Sequence, residues 1–168
     1  MALRDLYSGL GFFEALPVRE YSETATNGTT IDLKDYDGCL FHVHIGSFTG
    51  VLDTSYYTIH AQIGESNAAG TIVWSDVQAS QVLDSVVGEE GAISAVTLGV
   101  IFSINTALTD SDTVKRFGLR NIGTHRYARL QWSAAAAGNE VSLTVGAIAV
   151  LGYPHFWPVD AAIGIDAP

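Results

Sequence analysis

The chain has one cysteine, one methionine and four prolines in 168 residues. A lone Cys39 forms no intrachain disulfide, and its apolar setting, Cys39-Leu40-Phe41, reads as a buried inert thiol rather than a nucleophile. Charge is scarce too: charged residues make up 15% of the chain and hydrophobic ones 48%, which excludes a disordered protein. So little charge leaves apolar surface for other protein to cover. Basic residues are scarcest, 8 against 18 acidic for a net charge of −10, so no nucleic-acid partner is expected. Neither a Gly-x-Ser-x-Gly elbow nor a phosphate-binding glycine loop is present, and no catalytic residue, cofactor or enzyme activity is expected. The longest apolar stretch, Val141 to Gly152, is interrupted by Ser142, Thr144 and Gly146 and is too short for a bilayer helix, so no membrane is expected. The first residues, with Asp5 and Glu14 among the apolar ones, do not read as a signal peptide.

What is present is strand after strand. Cys39, Phe41, Val43 and Ile45 alternate with Leu40, His42 and His44, and Tyr57, Ile59, Ala61 and Ile63 repeat that pattern. Further strands are expected at 29–33, 71–74, 81–87, 95–104, 114–121, 127–133 and 141–151. Asn27-Gly28 before the first of them reads as a tight-turn pair. Period-two alternation with glycine punctuation predicts an all-β fold, one antiparallel sandwich or barrel. The length is that of a single domain, with a β core over 18–152 between an irregular N-terminal arm, 1–17, and a C-terminal arm, 153–168. Both arms are apolar and aromatic, so they either fold back on the home domain or dock on another subunit, with Leu6, Leu10, Phe12, Phe13, Tyr153, Phe156 and Trp157 as the contact residues. Deleting 1–16 or 153–168 should then leave a folded domain that no longer docks.

Few residues suggest chemistry. His42-Val43-His44 places two imidazoles on one strand face, and if the strands around residues 42 and 60 pair, His60 lies opposite His42. His42, His44 and His60 are thus the candidate metal ligands; the plainer reading is three polar residues on a solvent-facing or subunit-facing sheet. Asp110-Ser111-Asp112 lacks the remaining ligands of a calcium loop. Asp32, Asp35 and Asp37 read as a turn whose side chains cap local backbone groups. Lys115, Arg116, Arg120, Arg126 and Arg129 concentrate five of the eight basic residues into fifteen positions, read either as one solvated strand pair or as a patch for an acidic neighbour.

Several segments together resemble a family of small proteins encoded beside the major capsid protein of tailed bacteriophages. They are Thr24 to Leu33, Tyr36-Asp37-Gly38, Arg126-Tyr127-Ala128-Arg129-Leu130, and the closing Gly146 to His155 with its Leu-Gly-x-Pro ending. The resemblance implies a β-sandwich, with the jelly roll among its forms, that acts as a capsid decoration or cement protein on the outside of the head. It also implies the major capsid protein as partner and a homotrimer as the assembled form. The stretch 75–114 departs from simpler members of the family. Two other readings follow from the residues: a head-fibre, neck or tail component that binds a host glycan, and a cupin-like metal-dependent enzyme using the histidines.

Overall fold

Residues two apart in a strand face the same side of a sheet. Cys39, Phe41, Val43 and Ile45 are all buried, as are Tyr57, Ile59, Ala61 and Ile63, so both central alternations hold. The computed structural model describes residues 11–21, 25–49, 57–84, 99–104, 113–119, 123–134 and 142–154. Among them are eleven strands and a three-residue 3₁₀ turn, Ala79–Gln81. The strands are β1 (Gly11–Tyr21), β2 (Thr26–Asn27), β3 (Ile31–Asp32), β4 (Tyr36–Thr49), β5 (Tyr57–Ser66) and β6 (Ile72–Asp76). They continue as β7 (Val82–Asp84), β8 (Val100–Ile104), β9 (Thr113–Leu119), β10 (Tyr127–Ala134) and β11 (Ser142–Pro154).

The pairing is nested. β1 pairs with β11, β2 and β3 with β10, β4 with β9 and β5 with β8, all antiparallel. The chain is therefore one long hairpin closed from its ends inward. Pairing of β4 with β11 and of β5 with β10 rolls that hairpin into two sheets, ordered β1-β11-β4-β9-β7 and β2-β10-β5-β6. This is the connectivity of a jelly roll, an all-β sandwich. Consecutive strands mostly fall in opposite sheets, and this decides which neighbours in sequence become neighbours in space.

Between the sheets lies one aliphatic and aromatic core. Trp132 is fully buried, its ring 4.8 Å from that of Tyr57 and 5.3 Å from that of Tyr21, and Phe41 stacks on Phe117 at 5.1 Å. Cys39 is buried in this core, where desolvation pushes its thiol pKa well above the ordinary value, so it stays neutral and inert.

The expected N-terminal arm is corrected in part. Residues 11–17 belong to β1, an edge strand on β11. Register shifts on either side of Leu16 break its alternation and bury two successive residues, Ala15 and Leu16. Pro17 is tolerated because an edge strand leaves some of its N–H groups outside the ladder. The remainder of that arm, and 155–168 of the C-terminal arm, lie outside the described residues.

Candidate interaction faces

The three histidines are not brought together. β4 and β5 lie in different sheets, so His42 stands opposite Ile148 and Arg116, whereas His60 stands opposite Gln131 and Val100. His60 Nε2 lies 2.9 Å from Thr58 Oγ1. Among the described residues no group of three or more His, Cys, Asp or Glu could hold a metal ion. Asp110 and Asp112 are outside the described residues. Asp32 behaves as a turn cap, its Oδ1 accepting the Lys34 N–H at 2.9 Å.

The basic residues do not form one patch either. Lys115 and Arg116 lie on β9, while Arg129 lies on β10 in the other sheet and Arg126 immediately precedes that strand; Arg120 is outside the described residues. Arg126 grips Asp32 with two N–H groups, Nε to Oδ1 at 2.8 Å and Nη2 to Oδ2, tying β10 to β3. That hydrogen bond, the largest cause, holds the Asp32 carboxyl below its ordinary pKa. Both partners are about half exposed, so solvent screens the bridge and it adds little to stability.

The exterior of the six-stranded sheet carries His60, Gln62, Arg129 and Gln131 together with Ile72 and two aromatics. Trp74 and Tyr127 flank Gly64 in register, the arrangement a sugar-stacking platform would need. Both rings are already covered: the Arg129 guanidinium lies 4.1 Å from the Trp74 centroid and that of Arg126 5.2 Å from Tyr127. Arg129 is itself fixed by donating to Gln62, which donates to Asp76.

The exterior of the five-stranded sheet is different. Five exposed large hydrophobic residues, Phe12, Phe13, Val18, Val114 and Ile148, line one shallow groove of about 570 Å³ there. Phe12 is 60% and Phe13 46% exposed. The face is ordered in rows across the strands. One row is Glu14 on β1, Ile148 on β11, His42 on β4 and Arg116 on β9. The next holds Gly146, His44 and Val114, with Val18 lying over Gly146, where a Cβ would come within 2.5 Å of its methyl. Sequence reading found the histidines of this face but not the face, because its apolar members come from three strands far apart in the chain.

Burial, and secondarily the Arg116 charge, lower the His42 pKa below its ordinary 6.5. The unfolded chain therefore takes up that proton more readily, and acidification through 6.5 weakens the fold. An NMR titration is expected to place His42 below 6.5, with Arg116→Ala moving it part of the way back. A titration that ignores this substitution would remove Arg116 as a cause.

No family model and no curated protein matches the chain. Among solved structures, that of T=1 particles derived from infectious bursal virus aligns with 86% of this chain and 40% of its own, at 10% identity and a TM-score of 0.28. The chain thus spans less than half the length of that viral particle protein, and a likeness at this level carries no argument about function.

Proposed function

We propose that the protein is a structural virion component, a capsid decoration or cement protein that binds the outer surface of a tailed-phage head and bridges capsomers. The reading is supported by the apolar exterior of the five-stranded sheet. An antiparallel sheet that faces water carries polar residues on its outer side. Here that side carries Phe12, Val18, Val114 and Ile148, which other protein must cover in the working assembly. Head proteins work by being covered: a shell is held by many modest contacts whose avidity multiplies through repetition. The net charge of −10 keeps the free protein soluble in the host cytoplasm until the shell presents its sites together. The jelly roll itself does not decide the matter, since capsid, lectin and cupin domains all use it.

In this reading the apolar ends are the straps that contact the major capsid protein. Of their residues, Leu6, Leu10, Phe156 and Trp157 lie outside the described residues, and the Tyr153 side chain is not described. The cuts that test the straps must respect the fold. Deleting 1–16 would remove Ala15 and Leu16, which are fully buried, together with the Ala15 carbonyl that accepts the Thr29 N–H at 2.9 Å. The informative truncations are 11–168 and 1–154, which keep β1 and β11 whole. With shells assembled from the major capsid protein of the same phage, the intact chain should co-sediment to a saturable level. Both truncated forms should fold and lose that binding. Full occupancy by both would remove the straps from the proposal, and an intact chain left in the supernatant would remove the proposal itself.

A further inference from the structure

We infer that the exterior of the five-stranded sheet is a copy-to-copy interface, on which a second molecule of this chain seats face to face about a twofold axis. This goes beyond the proposed function and does not depend on it. The ground is the charge order of one row. Glu14, Ile148, His42 and Arg116 are consecutive partners across β1, β11, β4 and β9. Strands lie about 4.8 Å apart, so the carboxylate at one end and the guanidinium at the other are separated by about 14 Å and do not pair within the molecule. Between them lie a 47% exposed Ile148 and a half-buried His42.

Such a row is complementary to its own reverse. A twofold axis parallel to the strands, between β11 and β4, turns the row end for end. Glu14 then meets the partner's Arg116, Arg116 the partner's Glu14, and Ile148 packs over the partner's His42. In the neighbouring row Val18 comes over the partner's Val114. The other in-plane axis, perpendicular to the strands, would set Glu14 on Glu14 and Arg116 on Arg116 if it ran along this row and would leave both without an opposite charge if it ran between rows, so the charges favour the parallel axis. Stacked sheets pack about 10 Å apart with strands within about 30° of each other, an offset that Glu and Arg side chains span. Such a pair differs from the threefold grouping that the family resemblance implies.

Charge reversal gives a test no structural side effect imitates. The full-length protein, with no capsid present, is measured by sedimentation equilibrium across the micromolar range. The wild type should be a dimer. Glu14→Arg and Arg116→Glu, both at exposed positions, should each weaken it by about tenfold or more, because each exchanges two attractive contacts for two repulsive ones. Mixing the two single variants should restore dimers, as should the double variant Glu14→Arg/Arg116→Glu. Circular dichroism establishes that each variant is folded. A monomeric or trimeric wild type would overturn the inference, and so would single variants that associate like the wild type or a mixture that stays monomeric. A monomer that still binds shells would sink the inference alone; a dimer that ignores shells would sink only the proposed function.

Discussion

Trp132→Ala is expected to destabilise the protein by about 3–5 kcal/mol, a large part of the whole stability of a domain this size. Trp132 has no exposed surface and holds together the two aromatic contacts that join β10 to β5 and β1, its ring lying against Tyr57 and Tyr21. Truncation leaves a cavity bordered by two large rings that cannot both move in without shifting strands of opposite sheets. Trp132→Phe keeps one ring in place and should cost much less. Urea denaturation of both variants checks this. An alanine variant with an unchanged midpoint would mean that the aromatic cluster does not pin the two sheets together.

Gly28→Ala should cost about 3 kcal/mol or more, an unusual penalty for one methyl group. A Cβ at Gly28 would lie 2.1 Å from the Ala15 carbonyl oxygen and 3.0 Å from that of Leu130. Those oxygens belong to β1 and β10, one in each sheet, and both are engaged: Gly28 N–H donates to Leu130 at 2.8 Å and Thr29 N–H to Ala15 at 2.9 Å. Neither can withdraw without losing a hydrogen bond between β2 and β3, where the chain runs beside β10 of its own sheet and touches β1 of the other. Gly70→Ala is the contrast. Its φ of +79° strains an alanine, but nothing lies within 4 Å, so about 1–2 kcal/mol is expected there. Equal melting temperatures for the two variants would contradict this account of Gly28.

Gly28 also shows how far the sequence could be read. Asn27-Gly28 reads as a tight turn, yet Gly28 is not among the positive-φ glycines; it is glycine because two backbones pass close to it. Alternation along 39–45 and 57–63 was legible because it depends only on neighbours in the chain. The edge strand β1 was not, since bulges around Leu16 and Pro17 erase the period of two. The histidine register and the basic cluster failed for one shared reason. Both assumed that strands adjacent in sequence are adjacent in space, and the jelly roll carries the chain across the sandwich after β4 and again after β9. His60 thus leaves His42, and Arg126 and Arg129 leave Arg116. The same crossing assembles the Glu14–Ile148–His42–Arg116 row from strands whose paired residues lie 74 to 134 positions apart in the chain, a juxtaposition no local pattern announces.

The capsid assignment is tested most directly by imaging. If the proposed role holds, cryo-electron microscopy of shells assembled from the major capsid protein that the proposal names as partner, with and without this protein, should show added density confined to the outer surface and lying across capsomer boundaries. Identical shells in the two preparations, or density inside the shell or only at the neck, would contradict a decorating role.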